Sequence, residues 1–505
     1  MTHTDPHISD GTRTAGALLH PTSLPGPYGV GDMGDELVAF LDWAAGAGFK
    51  VWQVLPLNPP GFGHSPYGCL SSSAGNPLLI SPQRLLQENL LPASAVASVP
   101  QFRDDEVDFD RVMPFKTQVL RESWAHFNAH ASQEMRSAFE AFVHAPEQKP
   151  WLDAFAAFMT AKEHAGGAPW WDWDGPLARF EEPAIAKLRH DVADQFEFQK
   201  YVQFLFFRQW KSVRDIAHAR GIKILGDIPI YVACDSVDVW ANRHLFQLDE
   251  RGHPTVVAGV PPDYFSATGQ RWGNPLFRWD VMHDEGYRWW IERVRANMRF
   301  ADVIRLDHFR GFSAYWEIPA HESTAIHGRW MPGPGRALFD AIRKDLGDIQ
   351  LIAEDLGHIT AEVNELRRSV GLPGMKILQF GFAQIDSPHL PHRYESQTVV
   401  YTGTHDNDTA RGWYDTASPE ERSRATSYLG GSSQNVPIAM IRAALTSVAR
   451  LAIVPVQDIL GLGAEARMNR PGEGQENWRW RMLPGALTGD MQRRLHAMVE
   501  VTGRL

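Results

Sequence analysis

Eight short apolar runs, most of them set apart by helix-period patterns, constrain this chain more than any other feature. They are Gly16–Pro21, Val51–Leu57, Ile222–Ile228, Asp302–His308, Ile349–Asp355, Met375–Phe380, Val399–Asp406 and Ala452–Asp458. A strand covered on both faces reads as a continuous apolar run and not as an alternation, which is the signature of parallel sheet. The intervening patterns close on glycine. Leu37, Phe40, Leu41 and Ala44 fall on one helical face before Gly48, and Val363, Leu366 and Val370 follow a capping Thr360 and stop at Gly371. Tyr287, Trp290, Ile291, Val294 and Met298 repeat the spacing ahead of the fourth run. The alternation predicts an α/β fold, a (β/α)8 TIM barrel.

At 505 residues the chain exceeds what eight such units need. The excess falls in two places, about 61–201, rich in helical pattern and Trp, and about 231–284, rich in Gly, Pro and aromatics. Both follow the ends of strands, so they are expected as large, mainly helical insertions at the C-terminal rim. Residues 1–14 read as a polar, flexible tail and 15–505 as a single catalytic domain. Too little chain follows the eighth run for a C-terminal β-sandwich domain.

Charge and cysteine use exclude several functions. A formal net charge of -11 without a basic run disfavours nucleic acid and anionic lipid as partners. No apolar stretch approaches the ~20 residues that span a bilayer. Cys69 and Cys234 lack metal or disulfide spacing, and the polar N-terminus lacks a signal core; a cytoplasmic location is expected. HESTAIH has histidines six apart, not the four of a helix-borne zinc pair, and DND at Asp406–Asp408 lacks the rest of a calcium loop. Neither a metal nor a cofactor is called for.

Acidic residues gather where the runs end: Asp227 in LGDIP, Asp307 in IRLDH, Glu354 in IAEDL and Asp406 in GTHDND. Barrel enzymes draw their catalytic groups from these strand ends. Arg305 and Asp307, two apart on a strand, point to one side, and the guanidinium would hold the carboxylate ionised as a nucleophile. Glu354 follows Leu351, Ile352 and Ala353, a setting that raises a carboxyl pKa and suits a proton donor. One ionised and one protonated carboxyl are what glycosidic chemistry requires, and retention of configuration sets them ~5–5.5 Å apart. The 26 Phe, 18 Trp and 11 Tyr include flat faces suited to sugars, although most of these rings are expected in the core.

The strings GDIPIYVACDSVDVW, IRLDHFRG, AEDLG and GTHDNDT, with WQVLPLNP, HSPYG and PPDYFSATGQRWGNPLF, resemble the amylomaltases. These are 4-α-glucanotransferases related to the α-amylases, and the resemblance runs from about Ala15 to the C-terminus. It implies Asp307 as nucleophile, Glu354 as general acid/base and Asp406 as a third carboxylate gripping the donor sugar's hydroxyls. It further implies Arg305, His405 and Asp227 in the donor pocket, with Tyr67, Ser65, Gln270, Trp272 and Asn469 as other substrate-binding residues. The loop Gly259–Phe277, with Tyr264, Phe265 and Trp272, is expected to exclude water and stack on acceptor rings. Implied partners are maltooligosaccharides, starch or glycogen-type glucans, and glucose as acceptor. Phe62 stands where many relatives carry Tyr, and Arg470 where the family more often has a small apolar residue; a missing phenol removes one hydrogen bond to a remote glucan site. An α-amylase-like hydrolase would use the same carboxylates with water as acceptor. A non-catalytic glucan-binding barrel would lack one of the reacting groups, and all three are present.

Overall fold

A computed structural model describes residues 12–262, 266–430, 435–474 and 476–505. Twelve strands are present among them: β1 (Thr14–Leu18), β2 (Val51–Gln53), β3 (Lys223–Ile228), β4 (Val256–Val260), β5 (Gln270–Pro275), β6 (Val303–Leu306), β7 (Ala314–Pro319), β8 (Arg329–Pro332), β9 (Leu351–Ala353), β10 (Gly374–Ile377), β11 (Thr398–Tyr401) and β12 (Leu451–Pro455). Eight form one sheet in the order β10-β11-β12-β1-β2-β3-β6-β9, every neighbouring pair parallel. These eight are the eight apolar runs. The sheet closes where Ala353 N donates to Pro373 O at 2.9 Å and Met375 N donates to the Asp355 carboxylate at 2.7 Å. A (β/α)8 barrel results.

The inside of the barrel is set by the two-residue period of a strand. Leu18, Val51, Leu225, Val303, Ile352 and Val399 pack in one buried cluster, while their neighbours Ala17, Trp52, Ile224, Ile304, Ala353 and Val400 pack in another with the surrounding helices. Two residues beyond Leu225, Val303 and Ile352 stand Asp227, Arg305 and Glu354. The inward register thus carries charged groups into the barrel mouth as soon as the apolar layers end. Gly16 allows β1 and β2 to meet, since a Cβ there would lie 2.4 Å from Val51 O.

Several strands are shorter than their apolar runs. Val51–Leu57 is strand only to Gln53, because Pro56 has no N–H for a ladder. The first strand instead starts early, at Thr14, inside the stretch read as tail; Arg13 there donates to three carbonyls, of Thr502, Leu445 and Ser447. Residues 1–11 of that tail lie outside the described residues. Thr360 occupies the N-cap of the helix Ala361–Ser369, but its hydroxyl makes no capping bond to that helix.

The chain between β2 and β3 is helical, with Phe109–His130, Gln133–His144, Leu152–His164 and Glu182–Asp191 leading to the 27-residue helix Ala193–Ala219. The second rim structure differs from expectation. It is an antiparallel sheet in the order β5-β4-β7-β8, two strands coming before β6 and two after it. Beyond β12 the described chain ends in the helix Gly489–Val501, joined to the helix Asp35–Gly46 by Trp43 Nε1 to Thr488 O at 3.0 Å and Gln492 Nε2 to Trp43 O at 3.0 Å.

Candidate active site

At the barrel mouth Arg305 bridges two carboxylates, donating to Asp227 at 2.6 Å and to Asp307 at 2.8 Å. The register between β3 and β6 puts Asp227 directly beside Arg305. Burial alone would pull the guanidinium's pKa down; Asp227 and then Asp307 outweigh it and hold it well above the ordinary arginine value. The fork is therefore a fixed positive charge touching Asp307.

Tyr67 completes the support by donating its hydroxyl to the same oxygen of Asp227, at 2.7 Å. Burial pushes the Asp227 carboxyl up to about 7, with Arg305 opposing. Its side chain has no exposed surface.

Glu354 stands at the end of β9, held by two backbone amides: His308 N at 2.7 Å and Leu356 N at 2.9 Å. The first belongs to the residue following Asp307, so one hydrogen bond ties the two carboxyl-bearing segments together. His308 adopts φ +50°, a left-handed conformation uncommon for a residue with a side chain, directly after the peptide whose N–H meets Glu354. Burial pushes Glu354 up to about 8, opposed by Arg305 and reinforced by Asp307. Its surroundings favour the neutral acid, whereas the Asp307 carboxylate, 26% exposed, faces Arg305 and the cleft.

Asp406 follows β11. Asn469 Nδ2 donates to one of its oxygens at 2.6 Å, and His405 Nε2 lies 3.3 Å from the other. Burial lowers the pKa of His405, against Asp406, so the ring is neutral beside the carboxylate. The imidazole stacks on Tyr67 at 5.1 Å and 14°, and Trp478 is tilted against both, 5.9 Å from His405 and 5.8 Å from Tyr67. Asn469 N also donates to His405 O at 3.1 Å, and Arg467 donates to Asp406 O at 2.7 Å. The C-terminal segment thus pins the segment that carries Asp406.

One cleft of about 1390 Å³ gathers these groups. Asp307, Glu354, Asp406, Arg305, His405, Tyr67, Ser65, Gln270, Trp272 and Asn469 all line it. Asp227 does not: expected to touch sugar, it lies beneath Tyr67 and Arg305 and orders them instead. Ser65 faces the cleft while its hydroxyl accepts from Tyr67 N at 3.2 Å. Gln270 and Trp272 stand on β5, the indole donating to the amide at 3.1 Å and meeting His308 edge to face at 4.8 Å. Of the expected lid, Tyr264 and Phe265 lie outside the described residues; Trp272 is 38% exposed at the cleft. Phe62, at the rim, is 95% exposed.

Three cleft residues carried no signal in the sequence. His308 directs Glu354, Trp478 backs His405 and Tyr67, and Tyr231 lies 6.3 Å from Trp272. The string IRLDHFRG could have pointed to His308 by adjacency, but nothing local marks Trp478, whose left-handed φ of +68° is a property of its loop.

Known proteins share this arrangement of chain. Residues 19–487 match the family described as 4-alpha-glucanotransferase. The chain is 49% identical to the 4-alpha-glucanotransferase of Thermus thermophilus over 98% of its own length and 99% of that relative's. It is 44% identical to the chloroplastic/amyloplastic 4-alpha-glucanotransferase of Solanum tuberosum over 95% and 83%. Its fold matches the amylomaltase from Streptococcus agalactiae in complex with acarbose with a TM-score of 0.94 at 36% identity, covering 97% of this chain and 99% of that one.

Proposed function

The chain belongs to the 4-alpha-glucanotransferase family, and from that premise we propose that Asp307 is its nucleophile, Glu354 its general acid/base and Asp406 the grip on the donor sugar. The protein is a 4-α-glucanotransferase, moving α-1,4-glucan segments from donor to acceptor by retaining double displacement. Glu354, neutral, gives its proton to the glycosidic oxygen while an Asp307 oxygen bonds to the anomeric carbon; the carbon–oxygen bond to the leaving chain breaks. The 4-hydroxyl of an acceptor then loses its proton to Glu354 and attacks the same carbon, releasing the Asp307 carboxylate.

The observation that carries these roles is the contrast of two carboxyls tied through one peptide. Asp307 lies 2.8 Å from a buried guanidinium, while Glu354, bonded to the next residue's N–H, is pushed up to about 8. Tyr67, Arg305, His405 and Asn469 hold or contact the donor side, with Asp227 as the buried support of Tyr67 and Arg305. Gln270, Trp272 and Ser65 line the rest of the path. Maltooligosaccharides and starch or glycogen-type glucans are the proposed donors, and glucose or a glucan end the acceptor. The proposal treats 15–505 as one catalytic unit and the cytosol as its location, for which free Cys69 and Cys234 suit a reducing compartment.

A slow fluorinated glucosyl donor followed by proteolysis and mass spectrometry tests the assignment. Label on the peptide at Asp307 is expected, together with a ladder of longer oligomers from maltotriose. Label on another carboxylate would overturn the roles, and glucose with maltose alone would point to water as acceptor.

A further inference from the structure

The eighth apolar run also ends in an acid, Asp458, and the chemistry proposed above does not use it. It sits on the short helix Val456–Leu460 that follows β12, and only 2% of it is exposed. Among the described residues no guanidinium or ammonium pairs with it. Thr402 Oγ1 donates to one of its carboxylate oxygens at 2.5 Å and Ala410 N to the other at 2.6 Å. Burial pushes the Asp458 carboxyl up to about 6, opposed by the bond from Ala410 and then by that from Thr402, so it is ionised at neutral pH. A buried carboxylate without a cation is costly unless its hydrogen bonds are strong and well placed. Here both bonds come from one stretch of chain. Thr402 is the first residue after β11 and Ala410 opens the helix Ala410–Thr416, while Asp406 stands midway, four residues from each.

We infer that Asp458 is a positioning residue for Asp406, bracketing both ends of the segment 402–410 so that the third carboxylate keeps a fixed place at the barrel mouth. The middle of the segment is tied as well, by Asn469 to the Asp406 side chain and by Arg467 to its carbonyl, but both of these come from the chain beyond the helix that bears Asp458. Asp458 follows directly on β12, the neighbour of β11 in the sheet, and so refers the segment to the barrel itself. Inside the segment, Asn407 Oδ1 accepts from Thr404 N and Thr404 Oγ1, both at 2.9 Å, a local turn that sets shape and not place. The helix start has its own cap, since Thr409 Oγ1 accepts from Gly412 N at 3.0 Å. Releasing either bond to Asp458 frees one end of the segment to shift, and Asp406 with it. Hydrogen bonds to sugar hydroxyls beside the anomeric carbon strengthen in the transition state. A misplaced Asp406 therefore lowers kcat more than it raises KM.

This role rests on the reading of Asp406 given above. Full-length Asp458→Ala, Asp458→Asn, Thr402→Val and Asp406→Asn are to be compared with wild type in maltotriose transfer at 25 °C, with kcat expressed per folded molecule and the folded fraction taken from circular dichroism. Asp458→Ala frees both ends and should lower kcat about tenfold; Thr402→Val, which frees one end at nearly unchanged volume, should lower it about threefold, with KM within about twofold in each. Asp458→Asn keeps an acceptor for Ala410 N and offers an amide to which the Thr402 hydroxyl can turn, so it should recover most of kcat. A purely structural Asp458 would lower the thermal midpoint and leave kcat per folded molecule untouched. Wild-type kcat in either Asp458→Ala or Thr402→Val, a loss carried by KM, or an Asp458→Asn as slow as Asp458→Ala would each overturn the bracket. Should Asp458→Ala fail to fold, the other two decide: Thr402→Val at wild-type kcat, or Asp458→Asn slower than Thr402→Val, overturns it. Asp406→Asn with full kcat would refute the role of Asp406 itself, whereas a slow Asp406→Asn beside a fully active Asp458→Ala refutes the bracket alone.

Discussion

Two buried carboxyls at the barrel mouth are raised by the same cause, Asp227 to about 7 and Glu354 to about 8, yet only Glu354 opens onto the cleft. Its proton is needed for the first chemical step, so kcat/KM on maltotriose should decline through an alkaline limb near pH 8. A profile flat to well beyond about pH 9 would remove Glu354 from the role of acid. Stability carries the same group with a definite sign. Between the ordinary 4.5 and about 8 the folded protein keeps a proton that the unfolded chain has released. This contribution is whole below 4.5 and is lost as pH rises to about 8. Glu354→Gln, neutral throughout, should therefore be inactive and also melt a few degrees higher than wild type at about pH 8, the gap closing at about pH 4.5; a gap of equal size at both would contradict the shift. The acidic residues were legible in the sequence because strand ends are where barrels place them. The role of Asp227 was not, since its cover, Tyr67, comes from 160 residues upstream.

Eight strands were readable because each is apolar on both faces; the rim sheet was not, because its edge strands β5 and β8 are largely exposed and polar. Gln270, Arg271, Trp272, Gly273 and Asn274 on β5, and Arg329 and Trp330 on β8, read as loop chemistry. Pairing gives them their structure: β4 is central, bonded on one edge to β5 and on the other to β7. Gly259 permits that pairing, as a Cβ there would sit 2.2 Å from Gln270 O. The sheet fixes Trp272 over His308, one residue from Asp307, where the proposed mechanism brings the acceptor sugar. Trp272→Ala removes an aromatic face worth ~1 kcal/mol. Oligomer ladders from maltotriose should therefore weaken about fivefold while glucose release by hydrolysis changes less. Equal loss of both products would mean that the indole supports the fold of the rim and does not select the acceptor.

A closed barrel must seal its first strand against its last, and here the seal is a pair of arginines without a facing carboxylate among the residues they bond. β1 pairs with β12 along its whole length, from Thr14 with Leu451 to Leu18 with Pro455. Below that seam Arg504, with no exposed surface, donates to the carbonyls of Thr14, Leu445, Ser447, Ala449 and Arg450 at 2.7–3.1 Å. Arg13 adds bonds to Leu445, Ser447 and Thr502. Burial, then the neighbouring Arg13, depresses Arg504 to about 9, which still leaves it charged at neutral pH. Both termini of the described chain are thus tied to one set of carbonyls at the turn into β12. Sequence could not show this, because the partners are backbone atoms and the arginines are 491 positions apart, 13 to 504. Arg504→Ala takes a donor from five carbonyls, of which Leu445 and Ser447 keep Arg13 and Arg450 keeps Thr14 N, and leaves a hole where a buried side chain stood, a loss on the order of 3–5 kcal/mol. Its thermal midpoint should fall by several degrees. Arg504→Lys, which keeps the charge but lacks the planar fork, should lie between the two. Since Arg504 bonds the chain where β1 and β12 begin, while Asp307 and Glu354 follow the ends of β6 and β9, kcat of the folded fraction at 25 °C should stay at the wild-type value. A lysine variant as stable as wild type would show that charge alone seals the barrel, and an alanine variant with an unchanged midpoint would show that β1 and β12 hold without it.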